Sequence, residues 1–355
     1  LTLKKRRRRD IFLLMLFSLV YFGFWRQGCV CPIGAIQNVA LCLFEKDYAL
    51  PSVVLAFFVL PLLFTLFFGR GFCAAVCPLG ALQDVVLVRP VHIPAPWLHL
   101  LGLLPYFYLA LAVLFAATGS AFIICDYDPF VSFFRLTGRF HILILGACLL
   151  LIGMFVGRPY CRFLCPYSVL LRWFARLSQW RVTITPGQCI NCRLCENSCP
   201  FDAIEKPTSG PPGRPLRSDK IRLALLLLFL PLSPFMGGFI FSRLSGPLSR
   251  MHATVRLAEQ VHLEQTVPGT ATTEASDAFR AAGRPVEELY DEARALQRRF
   301  TRGSWLCGAF LGLVITARLI RLSVFRARTG YTADRAHCLA CGRCFAYCPI
   351  ERQRL

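Results

Sequence analysis

The sequence predicts a mainly α chain, with about six polytopic membrane helices and a cytoplasmic α+β module that is split in sequence. Three observations predict this. Apolar residues make up 55% of the 355, phenylalanine alone accounts for 31, and the mean hydropathy is +0.53, a composition that suits a membrane protein. The basic residues behind the net charge of +20 lie at the ends of apolar runs and in cysteine-bearing loops, which membrane topology explains better than nucleic-acid binding does. One cysteine pattern occurs twice, on either side of the last two apolar runs.

The run Lys4 to Arg9 precedes the apolar stretch Ile11 to Trp25. It resembles a signal peptide without a small-residue cleavage site, so it reads as an uncleaved first span with its N-terminus inside. Further apolar runs follow at Leu50 to Phe68, Trp97 to Thr118, His141 to Val156, Ile221 to Phe241 and Trp305 to Phe325. Alternation then puts residues 69–96, 157–220 and 326–355 inside. The arginines between Arg158 and Arg217 agree with that side by the positive-inside rule. The expected organisation is a four-span membrane domain over 1–180, the first half of the α+β module over 181–206, a Pro/Gly linker over 207–220, and span five over 221–241. A small outer helical segment over 242–304, span six over 305–325 and the second half of the module over 326–355 complete it. In the outer segment, Val286, Leu289, Tyr290, Ala293, Leu296 and Phe300 recur at helical spacing after Pro285.

Cys189, Cys192, Cys195 and Cys199-Pro200 repeat the pattern of Cys338, Cys341, Cys344 and Cys348-Pro349. This Cys-x2-Cys-x2-Cys-x3-Cys-Pro spacing is that of a bacterial ferredoxin loop. Three thiolates wrap one [4Fe-4S] cube and the fourth, before proline, serves the other cluster. The two-cluster ferredoxin-like module then has Cys189, Cys192 and Cys195 completed by Cys348, and Cys338, Cys341 and Cys344 completed by Cys199. Zinc sites usually space their cysteine pairs farther apart, and stand as the alternative. Cluster ligands need reduced thiols, which places the module in a reducing cytoplasm.

A second repeat lies nearer the N-terminus. Cys77-Pro78-Leu79-Gly80-Ala81-Leu82-Gln83 matches Cys31-Pro32-Ile33-Gly34-Ala35-Ile36-Gln37, and Gly157-Arg158-Pro159-Tyr160-Cys161 with Cys165-Pro166 parallels Gly69-Arg70-Gly71-Phe72-Cys73 with Cys77-Pro78. A cysteine before a proline caps the following helix, where the dipole stabilises its thiolate. Cys73, Cys77, Cys161 and Cys165 could therefore converge on a third cluster at the inner membrane face. A zinc site, or cysteines that only end spans, remain alternatives. Cys29, Cys31 and Cys125 fall on the outer side and could hold a further metal or remain free thiols. Cys42, Cys148 and Cys307 read as packing residues.

No Cys-x2-Cys-His motif for haem attachment, no P-loop and no dinucleotide fingerprint stands out. The Thr270-Ala271-Thr272-Thr273 run lacks the order of a covalent flavin site, so neither flavin nor haem is indicated. His141 could touch a quinone, although a solvated interfacial histidine suits it as well.

The Gly-Arg-x-[Phe/Tyr]-Cys-x3-Cys-Pro motifs and ferredoxin loops resemble those of the membrane-bound polyferredoxins of the NosR/NapH type. That resemblance covers roughly residues 11–205 and the last twenty. It implies a multi-pass protein of a bacterial-type inner membrane, with both termini cytoplasmic. Its expected role is an iron-sulfur electron-transfer subunit relaying electrons between a cytoplasmic or quinone-pool donor or acceptor and partner redox subunits. Two alternatives stand beside it: a catalytic quinol dehydrogenase, and a metal-holding assembly factor for a respiratory oxidase. Two departures matter: no outer flavin domain is present, and a hairpin of spans separates the two ferredoxin loops.

Overall fold

The computed structural model describes residues 8–26, 32–45, 47–135, 139–184, 189–208, 217–324, 328 and 330–352. The chain is mainly helical. Arg8–Ser18 continues into a π-helical stretch, Leu19–Trp25, and is followed by helices Pro32–Phe44, Ser52–Phe68, Ala95–Ala117 and Phe140–Gly153. Among the described residues, Ala95–Ala117 and Val286–Ser323 are long and apolar enough to cross a membrane. Lys220–Phe229 with Leu232–Ser242, bent by 56°, would make a third. Pro231 lies at that bend, where it offers no N–H to continue the helical ladder.

Pro32–Phe44, Ser52–Phe68 and Phe140–Gly153 are apolar but shorter. Phe140–Gly153 has 14 residues, which at about 1.5 Å each reach about 21 Å, less than the roughly 30 Å of a bilayer core. Helix length therefore carries two or three of the six expected spans.

Residues 119–135, part of the stretch between the third and fourth expected spans, are drawn into the bundle. Ile123–Tyr127 and Pro129–Arg135 form short helices, and Ile124, Phe130 and Phe134 are buried against the first helices. The apolar side chains of this stretch account for that inward packing.

The outer segment forms helices Ala253–Thr266 and Glu274–Ala281, the second opened by a capping box between Thr273 and Ser276. Val255, Val261, Phe279 and Leu289 form its own small core. The helix predicted after Pro285 and the sixth expected span prove to be one 38-residue helix, Val286–Ser323. No proline interrupts it, and its first turn carries Glu287 and Glu288 while its last carries Arg321, as the helix dipole favours. Helix Arg217–Phe229 begins inside the expected linker, of which 209–216 lie outside the described residues.

Val286–Ser323 packs along Leu232–Ser242 through glycines. A Cβ on Gly237 would collide with the Gly308 carbonyl, and one on Gly308 with the Gly237 carbonyl, so only glycine allows this backbone approach. The two helices return the chain to the level of the first ferredoxin loop. There β1 (Ile204–Glu205) pairs antiparallel with β2 (Thr332–Ala333), Ile204 opposite Ala333 and Glu205 opposite Thr332.

Candidate metal centres

The two ferredoxin loops share one backbone path. Asn191 and Arg193 in the first, and Ala340 and Gly342 in the second, take positive φ at matching places between the cysteines. Non-glycine residues seldom accept that region, and such outliers gather at functional sites. Here they curl the chain so that successive cysteines face one centre. Short helices Leu194–Asn197 and Arg343–Tyr347 follow each loop and pack on each other.

Cys189, Cys192 and Cys195 line one recess, and Cys348 and Cys344 of the distant second loop line it too, among the apolar side chains of Ile190, Tyr331 and Phe345. Cys199 of the first loop sits close enough to Cys338, Cys341 and Cys344 to raise the pKa of each. Burial pushes the Cys338 thiol up to about 12, and burial also raises Cys199, Cys341 and Cys344. Backbone groups of Phe201 and Ala203 hydrogen-bond the Cys199 thiol, that of Ala340 the Cys338 thiol, and that of Arg343 the Cys341 thiol. These are the contacts that tune an iron-sulfur centre.

Cys73, Cys161 and Cys165 are buried and Cys77 half-buried in the two Cys-x3-Cys turns. The two Cys-x3-Cys turns are alike. The Cys77 N–H donates to the Phe72 carbonyl at 3.1 Å, and the Cys165 N–H donates to the Tyr160 carbonyl at 2.8 Å. Cys77 is the N-cap of Pro78–Val86, whereas at the other turn Pro166 itself caps Tyr167–Arg176. Burial raises Cys165 well above the ordinary thiol range, with Cys161, Cys77 and Cys73 adding to the rise. Cys161 reaches about 11, chiefly through burial. A cluster that takes thiolates must release these protons as it binds.

The donor chemistry of these three groups fits cubane clusters. Among the described residues, no set of His, Cys, Asp or Glu converges tightly enough for a single metal ion. A cube binds one thiolate at each of four separate irons.

Cys29 and Cys31 lie outside the described residues. Cys125 is described, with its thiol 3.3 Å from where a Cβ on Gly34 would sit. Gln37 accepts a hydrogen bond from the Ile124 N–H at 3.1 Å, just as its repeat counterpart Gln83 accepts one from the Tyr160 N–H at 3.1 Å. Cys125 therefore follows Ile124 as Cys161 follows Tyr160. Cys307 is half-buried and its Sγ donates to the Ala110 carbonyl at 3.3 Å, while Cys148 is exposed on the chain's surface instead of packed. No described cysteine is disulfide-bonded.

Topology was the only role the sequence suggested for a group of arginines that prove to be buried between the cysteine groups. Arg158 is fully buried and donates to the Cys73 carbonyl and, at 2.6 Å, to Asp84 Oδ2. Arg162 donates to Asp202 Oδ2 at 2.6 Å and to the Pro200 carbonyl at 3.3 Å. Arg70 donates to the Ala336 carbonyl at 3.1 Å. These contacts bind the membrane-proximal loops to both halves of the ferredoxin module, and Asp202 is held further by His92 at 2.5 Å. The signal was present: Arg70 and Arg158 each follow glycine in the repeated motif.

Residues 50–96 and 138–185 match one model of a 4Fe-4S binding domain, and residues 182–205 match a second. The first two matches each contain one Cys-x3-Cys-Pro motif, and the third contains the first ferredoxin loop. An uncharacterized protein of Methanocaldococcus jannaschii is 33% identical over 72 residues, 20% of this chain and 29% of that protein. The putative electron transport protein YccM of Escherichia coli is 34% identical over 70 residues, 20% of this chain and 19% of YccM. Protein NirI of Paracoccus denitrificans is 29% identical over 202 residues, 54% of this chain and 24% of NirI. The matched parts thus span less than a third of each relative's own length. No solved structure matches the chain. Its paired Cys-x3-Cys-Pro turns, its ferredoxin loops and these matches show 4Fe-4S binding domains and support a likeness to the polyferredoxins of the NosR/NapH type.

Proposed function

We propose that the chain is an integral membrane electron-transfer subunit that carries three [4Fe-4S] clusters. It would span a bacterial-type inner membrane about six times, with both termini cytoplasmic, and pass electrons between a cytoplasmic or quinone-pool donor or acceptor and partner redox subunits. The clusters would be held by Cys189, Cys192, Cys195 and Cys348; by Cys338, Cys341, Cys344 and Cys199; and by Cys73, Cys77, Cys161 and Cys165. The division into a four-span domain, an outer helical segment and a split cytoplasmic module belongs to the same reading.

The observation that carries it is the interlocking of the two loops, with Cys348 in the recess of the first and Cys199 among the cysteines of the second. Bound clusters supply one-electron oxidation and reduction. The chain's own residues then do the rest. Cysteines would hold the metal, backbone N–H groups at Cys199, Cys338 and Cys341 favour the thiolate, and the buried side chains of Tyr331 and Phe345 exclude water. The buried arginines join the groups. Arg158 acts electrostatically on Cys161, and its own charge responds to both Cys161 and Cys341. Arg70 acts likewise on Cys161 and Cys338. The membrane-proximal group and the second loop are therefore neighbours.

Anaerobic purification with iron and acid-labile sulfide analysis tests the reading, since three cubanes require about twelve irons per chain. Zinc in place of iron would overturn it in favour of a metal-holding assembly role. Turnover of a quinol analogue by the isolated chain would point to the quinol dehydrogenase.

A further inference from the structure

A cavity of about 670 Å³ opens between the start of helix Ala95–Ala117, the helix Tyr167–Arg176, the last turns of Val286–Ser323 and the ferredoxin module. Five arginines line it: Arg172, Arg176, Arg318, Arg321 and Arg328. Only two carboxylates share the lining, and both are engaged. Glu205 pairs with Arg328 at 2.7 Å, and Asp334 pairs with Arg321 at 3.1 Å.

Arg172, Arg176 and Arg318 have no carboxylate partner among the described residues. Arg172 is the telling one. It is 3% exposed, its Nη2 donates to the Arg162 carbonyl, and its Nε is buried with no partner at all. Burial, with repulsion from Arg70 next, lowers its pKa to about 10. Among the described residues Arg318 donates to the Leu98 carbonyl, at 3.5 Å. Holding the unpaired Arg172 guanidinium out of water, beside the more open Arg176 and Arg318, costs free energy unless an anion joins it.

The lining has an exposed apolar part as well. Trp173, Leu322 and Val324 belong to it and are 37%, 50% and 42% exposed. Cationic and exposed apolar side chains lining one cavity are the complement of an amphiphile with an anionic head. The cavity also lies at corresponding ends of the two helices able to cross a membrane, the beginning of one and the end of the other, which is where a lipid headgroup would be.

We propose that this cavity holds the phosphate of an anionic phospholipid, with its acyl chains along Trp173, Leu322 and Val324. Guanidinium suits that head because its fork can donate two parallel hydrogen bonds to phosphate oxygens. Basic pockets at the cytoplasmic ends of membrane helices recognise lipid phosphates by the same chemistry. The site rests on the membrane reading proposed above. Bound there, the lipid would supply the missing counter-charge to Arg172 and fasten the ferredoxin module to the end of helix Val286–Ser323.

The test compares full-length wild-type protein with an Arg176→Gln/Arg318→Gln double variant, an Arg176→Lys/Arg318→Lys variant and Arg284→Gln. Arg284 is an arginine of the outer segment, paired with Glu288 and Glu292. Each chain is purified anaerobically in mild detergent, and retained phospholipid is measured by mass spectrometry beside iron content. Wild type, the lysine variant and Arg284→Gln are expected to keep anionic phospholipid. The glutamine double variant should bind phosphatidylglycerol about thirtyfold more weakly, as the loss of two interfacial cations predicts. Its iron content should be unchanged.

Equal lipid retention by wild type and the glutamine variant overturns the proposal. Delipidated wild type is then given inorganic phosphate, phosphatidylglycerol or phosphatidylcholine. The proposal expects binding of phosphatidylglycerol alone, and overturning results are tight binding of inorganic phosphate or no preference for the anionic lipid. If the glutamine variant loses iron, the lysine variant and the lipid titration decide the outcome. Vesicle flotation and carbonate extraction of wild type test the membrane reading separately, and can fail it while leaving the phosphate measurement interpretable.

Discussion

Gln83 Nε2 donates to Cys161 Sγ at 3.3 Å, while the same side chain accepts a hydrogen bond from the backbone of Tyr160. A single buried amide thus fixes the turn and places a donor on one proposed cluster ligand. Donors to cluster sulfurs favour the more negative, reduced state and so raise the potential. Gln83→Leu is expected to lower the midpoint potential of one cluster in an EPR-monitored titration, with iron content nearly unchanged. An unmoved potential would separate Cys161 from any cluster.

Arg158 and Asp84 form an ion pair with 1% and 10% of their side chains exposed. Removing one partner strands the other in a buried place. Asp84→Ala should destabilise the protein by about 3–5 kcal/mol, whereas Asp84→Leu with Arg158→Met should recover much of that loss. Thermal unfolding in detergent, followed by tryptophan fluorescence, measures both.

Cys348 lies in the recess of the first ferredoxin loop, far from that loop in sequence. Cys348→Ser should therefore disturb the cluster of Cys189, Cys192 and Cys195, with a loss of up to about four irons per chain. Cys77→Ser should instead remove the spectrum of the membrane-proximal group and leave the ferredoxin pair. The two losses must be distinct by EPR. Identical spectra for the two variants would count against separate clusters.

The helix crossing at Gly237 and Gly308 has no space for a side chain. Gly308→Leu should cost at least about 1–3 kcal/mol through overpacking and should lower iron retention, because the second loop depends on this hairpin for its position. Gly246→Ala, where nothing lies within 4 Å of the added carbon, is the neutral control.

The mainly helical fold was legible in the apolar runs, and 4Fe-4S binding in a cysteine spacing that needs no tertiary knowledge. Cys189 to Cys199 and Cys73 with Cys77 announce themselves in the chain. Helix lengths were less legible. The apolar run beginning at Ile221 is broken near Pro231, while the run at Trp305 continues a helix that begins at Val286. Hydropathy alone averages over both features. The inward packing of Ile124 and Phe130 escaped it as well, since an apolar loop outside a bilayer and one folded into a bundle have the same composition. The roles of Arg158 and Arg162 were hidden for another reason. Their partners Asp84 and Asp202 lie far away in sequence, and arginines near apolar runs already had an explanation in topology.

The pairing of β1 with β2 also sets an order of events in the cell. Ile204 and Glu205 leave the ribosome long before Thr332 and Ala333, and both hairpin helices must be made and positioned in between. During that interval the first loop has no neighbouring strand and no Cys348 beside it. Iron delivered early would meet Cys189, Cys192 and Cys195 without Cys348 beside them. Loading of that recess would then have to wait until residue 348 has been made and the two strands have met.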